Sequence, residues 1–314
     1  MAAGCTVVLK PAEQTPLSAL LLGELAMVAG LPPGVLNIVA GFGEAGAALA
    51  AHPDVDKVAF TGSTEVGKEI VKAAAGNLKK VTLELGGKSP NIVFADADLD
   101  AALKGATAGI FYGKGEVCAA GSRLLVEKSI YEDFVAKLAE RAKKMAPADP
   151  MDPKTRLGSL VSRAQMEKVL GYVETGIQEG AKLVAGGQRQ PVNGKGAFVQ
   201  ATVLAGVDNR MRVAQEEIFG PVLAVIPFDG VDDAVAKAND VPYGLAAGVW
   251  TRDVRKAHTV ARRLAAGTVW VNMYNFYDPG MPFGGVKGSG FGRDLGEACL
   301  HEYTQVKSVW MNLE

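Results

Sequence analysis

Residues 57–85 read KVAFTGSTEVGKEIVKAAAGNLKKVTLEL, and this stretch decides the fold. Lys57–Phe60 is a short strand-like run that stops at Gly62. Ser63 then stands where a helix N-cap is wanted, and the residues through Ala75 carry helical spacing. Val81–Leu85 is the next β-rich run. Strand, tight turn, helix and strand in so short a span make a βαβ unit, which predicts parallel neighbours in one sheet.

The same alternation extends towards the N-terminus. Thr6–Leu9 is a β-branched run, and Thr15-Pro16 supplies an N-cap and an N1 proline for a helix over Leu17–Ala29 that Gly30 ends. Val35–Val39 reads as a strand and Glu44–Ala51 as a helix. The first 85 residues therefore predict a parallel sheet with helices on both faces, a nucleotide-binding architecture by habit, although fold alone proves no function. Beyond Gly86 the helices lengthen. Ile130–Met145 and Arg163–Gly180 are amphipathic candidates, and Val222–Phe228, Ala246–Thr251 and Gly267–Asn272 read as strands. Segments 147–158 and 185–199 read as loops. The tail, Tyr303–Leu313, alternates like a strand, which at a chain end suggests pairing outside its own domain.

Composition sets bounds on the partners. The chain has 314 residues, 48% of them hydrophobic, with 38 glycines and a formal net charge of −1. That length suits two domains. A near-neutral balance without a basic cluster argues against nucleic acid or an anionic membrane as partner. Three widely spaced cysteines suit a reducing, cytoplasmic setting better than a disulfide framework. No apolar run approaches the ~20 residues that span a bilayer, and the first residues carry no signal-peptide pattern. No metal-ligand spacing stands out. His52, His258 and His301 have no companion motif and read as structural or surface residues.

Two glycine clusters offer phosphate cradles. Gly41-Phe42-Gly43-Glu44-Ala45-Gly46 matches GxGxxG after a strand, yet any tight βα turn in a glycine-rich chain favours such residues. At Gly62-Ser63 the helix dipole and exposed N–H groups suit a diphosphate, but an ordinary Ser-capped helix looks the same. Cys118 lies in Gly115-Glu116-Val117-Cys118-Ala119-Ala120-Gly121-Ser122-Arg123, a loop of small residues. Read alone it is either a small buried hydrophobe or an accessible nucleophile. Glu84, between Leu83 and Leu85 at a strand end, is either a paired carboxylate or a desolvated one with a raised pKa. Glu216-Glu217-Ile218-Phe219-Gly220-Pro221, read alone, is structural.

Together the segments Leu83-Glu84-Leu85-Gly86-Gly87-Lys88-Ser89-Pro90 and 115–123 resemble the general-base and nucleophile motifs of the NAD(P)-dependent aldehyde dehydrogenases. The resemblance extends over essentially all 314 residues, including the run 281–290 and Gly292-Arg293. It implies an α/β fold with a Rossmann-like nucleotide-binding domain, incomplete here, over residues 1–85. An α/β catalytic domain follows over 86–295, and a C-terminal segment with an oligomerisation strand over 296–314. It implies Cys118 as nucleophile and Glu84 as the base that activates water. Gly62, Ser63 and Gly67 match the pyrophosphate turn. Gly43 would lie near adenine, Lys10 and Glu13 match the residues for the adenosine ribose, and Leu85 joins the cofactor contacts. Glu217 would bind the nicotinamide ribose, with Phe219 against the nicotinamide ring. Glu13 would repel a 2′-phosphate, which favours NAD over NADP, although Lys10 partly offsets it.

The implied reaction is oxidation of an aldehyde to an acid through a thiohemiacetal and a thioester, in a homo-oligomer, dimer or tetramer, acting on a small-molecule aldehyde. Two alternatives stand beside it. A CoA-acylating relative often lacks the base glutamate, so Glu84 counts against it, and a catalytically dead structural relative would need neither residue. The chain also departs from the family. Gly113-Lys114-Gly115-Glu116 replaces the usual Asn-Gln-Gly-Gln and brings two charges beside the nucleophile. The resemblance further covers about the last two-thirds of a usual member, so the chain reads as truncated, without the asparagine that donates to the oxyanion. The 314 residues alone are therefore expected to be inactive.

Overall fold

The computed structural model describes residues 1–314 as two compact units. One comprises 1–84, 278–283 and 291–314, and the other 85–277 and 284–290. In the first, β1 (Val7–Leu9) pairs in parallel with β2 (Leu36–Ile38), and β3 (Lys57–Thr61) pairs in parallel with β4 (Lys80–Glu84). The helices α1 (Leu17–Val28), α2 (Gly43–Ala51) and α3 (Thr64–Ala74) alternate with them. α1 starts one residue later than the sequence predicts. Pro16 occupies its N-cap and has no side-chain oxygen to cap with, while the Thr15 N–H closes a turn on the Ala12 carbonyl. Gly30 follows the helix at φ +86°, the left-handed conformation that ends helices. α3 is capped as expected, the Ser63 hydroxyl accepting the Val66 N–H at 3.3 Å.

The second unit is built on a seven-stranded sheet. Its strands are β5 (Pro90–Val93), β6 (Arg123–Glu127), β7 (Lys182–Ala185), β8 (Thr202–Ala205), β9 (Val222–Phe228), β10 (Ala246–Trp250) and β11 (Thr268–Val271). Their order is β11-β10-β5-β6-β9-β8-β7, parallel except for the antiparallel edge strand β7. Period-two alternation divides each strand between two cores. Leu125, Val222, Ala224 and Ile226 face the helices α6 (Arg163–Gln178), α8 (Gly230–Asn239) and α9 (Val254–Arg263). Leu124, Val126, Leu223 and Val225 face α4 (Leu99–Phe111) and α5 (Tyr131–Lys143). Both faces are covered, which is why these strands read as continuous apolar runs.

One fully buried cation braces this unit. Arg123, at the start of β6, donates to the carbonyls of Lys88, Lys237 and Ala238 and to Asn209 Oδ1, all within 2.7–2.9 Å. The strand expected at Tyr303–Leu313 does not form within the chain. That stretch carries no regular structure, and Val306, Val309, Trp310, Met311 and Leu313 are exposed, since an isolated strand has no ladder to join.

Candidate active site

Pairing of β3 with β4 assembles part of the site in the first unit. The Gly62 N–H donates to the Glu84 carbonyl at 3.0 Å, so the turn that opens α3 sits beside the end of β4. Glu84 is buried, and its Oε2 has no hydrogen-bond partner. Burial pushes its carboxyl up to about 8, helped by the Asp294 anion and opposed by Arg293. A carboxylate in such a place accepts a proton readily near neutral pH. Lys10 and Glu13 pair at 3.5 Å beyond the end of β1, and a Cβ at Gly46 would lie 3.7 Å from Lys10 Cδ. Lys10, Gly43 and Gly46 thus gather around the first turns of α2, while Gly62, Ser63 and Gly67 lie at the start of α3.

In the second unit the Gly86-Gly87 turn joins two sequence-distant elements. The Gly87 N–H donates to Glu217 Oε1 at 3.1 Å, and a Cβ at Gly86 would lie 2.2 Å from Glu217 Oε2. On the other side, a Cβ at Gly87 would meet the Cys118 carbonyl oxygen at 2.5 Å. Only glycine allows that approach. Glu217 and Phe219 line a small cleft with Gly87 and with Gly115, Val117, Ala120 and Ser122, which bracket Cys118 in the chain. Phe219 sits at φ +57°, a conformation rare for an aromatic residue, and its carbonyl accepts the Gln165 amide at 2.7 Å. Leu85 is buried, its N–H bonded to the Ser289 carbonyl.

Cys118 is half-buried in a loop resting on Tyr274, whose hydroxyl donates to the Ala119 carbonyl at 3.0 Å. Tyr277 lies near enough for the cysteine to act on its phenol: burial first, then Cys118 and Tyr112, push that group up to about 12. The Tyr277 phenol is therefore neutral at ordinary pH. The two extra charges before the cysteine answer each other. Lys114 and Glu116 pair at 2.9 Å, and Glu116 also accepts the Val161 N–H, so neither side chain is left as an isolated charge beside the sulfur. Cys5 and Cys299 are half-buried as well, so accessibility alone does not separate the three thiols.

Sequence reasoning passed over several neighbours of the site. Tyr274 and Tyr277 stand in an aromatic run, 274–277, whose only signal was its density of rings. Lys88 is fully buried with its Nζ unpartnered, and burial, with repulsion from Arg123, pushes its ammonium down to about 7 against the pull of Glu217 and Glu216. A lysine is rarely fully buried. Glu216 is held by a fork from Arg212 and by the Tyr172 hydroxyl at 2.6 Å, and its carboxyl lies down near 2 with Arg212 as the main cause. The adjacent glutamates thus have different partners, Glu216 with Arg212 and Tyr172 and Glu217 with the Gly87 N–H.

The parallel sheet with buried faces and the alternating strands and helices define an α/β protein. The aldehyde dehydrogenase family matches residues 1–309, and the chain belongs to that family. It is 55% identical to aldehyde dehydrogenase 1A1 of Gallus gallus over 99% of this chain and 61% of that protein. It is 54% identical to the Bacillus subtilis protein named as aldehyde dehydrogenase DhaS, over 100% of this chain and 63% of the relative. The NAD+ complex of an aldehyde dehydrogenase from Bacillus cereus superposes with a TM-score of 0.97 at 52% identity, over 99% of this chain and 63% of that one. The chain thus spans about three-fifths of the length of the relatives it matches. No helix is long and apolar enough to cross a membrane.

Proposed function

We propose that this chain carries the nucleophile and general base of an NAD-dependent, non-acylating aldehyde dehydrogenase. The observation that carries the reading is the Gly86-Gly87 turn. One glycine residue there binds the Glu217 carboxylate through its N–H and lies against the Cys118 carbonyl, so a cofactor-ribose acceptor and a thiol share one rigid support. The donor set fits the dinucleotide. Glu217 and Phe219 would hold its nicotinamide end, the α3 turn at Gly62 and Ser63, with Gly67, its diphosphate, and Lys10, Glu13 and Gly43 its adenosine. The capped helix start and the anionic ribose acceptor support that assignment. The Glu13 carboxylate supports NAD over NADP. When bound, NAD+ supplies the two-electron acceptor.

The protein's own part is nucleophile and base. The Cys118 thiolate adds to the aldehyde carbon and forms a C–S bond, leaving an oxyanion. After oxidation the carbon remains attached to Cys118 as a thioester. Glu84 then takes a proton from water, the hydroxide adds to the thioester, and the C–S bond breaks to return the thiolate and release the acid. The raised carboxyl of Glu84 suits that proton transfer. The test is a chimaera in which the portion of DhaS outside the match is joined to this chain. Glu84→Gln is expected to give a rapid first turnover of NADH followed by a far slower steady state, and Cys118→Ala to give neither phase. A Glu84→Gln chimaera with the parental steady-state rate removes Glu84 from the mechanism.

A further inference from the structure

Cys118 is fixed in the chain from both sides, and the two fixtures differ in kind. On its C-terminal side the Tyr274 hydroxyl donates to the Ala119 carbonyl, and the Gly121 N–H donates to the Gly109 carbonyl at 2.9 Å. Both contacts are neutral. On the N-terminal side the fixture is a carboxylate. Glu116 Oε1 accepts the Val161 N–H at 3.0 Å while Oε2 pairs with the Lys114 ammonium at 2.9 Å, and the Glu116 side chain is only 6% exposed. Val117 and Cys118 are the only residues between Glu116 and Ala119.

The backbone that carries this carboxylate is constrained. Gly113, Lys114 and Gly115 all have positive φ, at +57°, +62° and +74°. The glycines adopt that region freely, whereas Lys114 carries a Cβ and adopts it at a cost. Such a conformation persists where its surroundings over-determine it. Here the Glu116 N–H closes the turn on the Gly113 carbonyl at 3.1 Å, and the approach of Gly115 to the Gly220 carbonyl leaves no room for a Cβ. The Lys114 stem passes Gly158, whose added Cβ would lie 3.8 Å from its Cδ. Turned back in this way, Lys114 reaches the carboxylate two residues on.

What Glu116 holds leads on to the 217–219 segment. Val161 stands between Leu160, which is buried in the core with its N–H on the Ala197 carbonyl, and Ser162. The Ser162 hydroxyl caps α6 by accepting the Gln165 N–H at 3.1 Å. From that first turn the Gln165 side-chain amide donates to the carbonyls of Ile218 and Phe219 at 2.9 and 2.7 Å. The start of α6 therefore grips the cysteine loop through Glu116 and the 217–219 segment through Gln165.

We infer that Glu116 is a positioning residue for Cys118. Its carboxylate ties the N-terminal side of the nucleophile loop to the start of α6, and so sets the sulfur against the segment that the same turn of helix holds. The inference rests on Cys118 as the nucleophile and on Glu217 and Phe219 at the nicotinamide end. Without the tie the thiol still adds to an aldehyde, but the adduct is misplaced for oxidation, where an error of about 1 Å costs up to about a hundredfold. Cofactor binding itself is spared, because Gln165 still holds the Phe219 carbonyl.

The experiment compares variants of the DhaS chimaera by amide hydrogen exchange, NAD+ affinity and the rate of the first NADH turnover. Glu116→Ala is expected to speed exchange of the Val161 and Ala120 amides about tenfold, the effect of one lost charged hydrogen bond. The first turnover is expected to slow about tenfold, with the Kd for NAD+ changed less than about twofold. Val161→Pro removes the donor at the other end of the tie and leaves Glu116 in place, so it is expected to slow the first turnover to a similar degree, and it decides the matter if Glu116→Ala does not fold. Lys114→Gln combined with Glu116→Gln keeps an amide oxygen to accept the Val161 N–H. It is expected to return the rate to within about threefold of the parent, which general damage to the loop would not allow. A parental first turnover in Glu116→Ala or in Val161→Pro overturns the inference. So does a fall matched by an equal loss of NAD+ affinity, or one that the double glutamine variant leaves unrepaired. Cys118→Ala separates this inference from the reading beneath it. A first turnover retained in that variant overturns both, whereas its loss beside a parental Glu116→Ala overturns the role of Glu116 alone.

Discussion

Glu84 shows how one residue ties stability to chemistry. Its carboxyl sits near 8 in the folded chain, against 4.5 as its ordinary value, because burial disfavours the anion. A raised acid binds its proton more tightly when folded, so stability is fully present below the unfolded value and is lost as pH rises towards and through 8. Thermal unfolding followed by circular dichroism from pH 5 to 9 is expected to show a falling midpoint for the parent chain. Glu84→Gln, which carries no charge to bury, is expected to flatten that part of the profile. Parallel profiles for both proteins would show that Glu84 ionises as freely folded as unfolded. Local sequence left Glu84 open between a paired and a desolvated carboxylate, and packing decided it. Cys118 was open in the same way, and the structure shows it half-buried, between buried and fully accessible.

At the scale of elements, the second unit depends on Arg123 to join β6 to the end of α8. Four acceptors converge on one guanidinium with no solvent to replace it. Arg123→Leu removes the donors and leaves three buried carbonyls unpaired, each costing about 1–3 kcal/mol. A loss of several kcal/mol in denaturant-induced unfolding is expected, about 3–5 by analogy with breaking a buried ionic contact. A loss under 1 kcal/mol would mean that water or backbone movement satisfies those carbonyls. The strands and helices themselves were readable, since apolar period and capping residues act locally: Val222–Phe228 is the strand its sequence predicts, and Ser63 caps α3. Arg123 was not readable in this way. Its sequence position marks only the start of a strand, and its partners lie about 35 to 115 residues away.

For the whole molecule, exposed apolar surface dominates the expected behaviour. α1 has no buried residue, and Leu17, Leu21, Leu22, Leu25, Met27 and Val28 are all more than half exposed. The tail adds Trp310 and Val306, almost wholly exposed. Patches of this kind drive association. The 314 residues expressed alone are expected to be inactive with NAD+ and aldehyde and to partition largely into the insoluble fraction, whereas the DhaS chimaera is expected to be soluble. Equal solubility and rates, by sedimentation velocity and NADH formation, would refute this. Alternation of strand and helix, helix caps, the family and the candidate site residues all follow from local patterns and motif spacing, because these act over a few residues. Tertiary structure alone decided that β1-β2 and β3-β4 lie in separate sheets, that Glu84 is short of a partner, that Lys114 and Glu116 pair, and that Gly87 supports both Glu217 and Cys118. Those outcomes depend on contacts between segments far apart in the chain, and no local pattern encodes how closely two backbones approach.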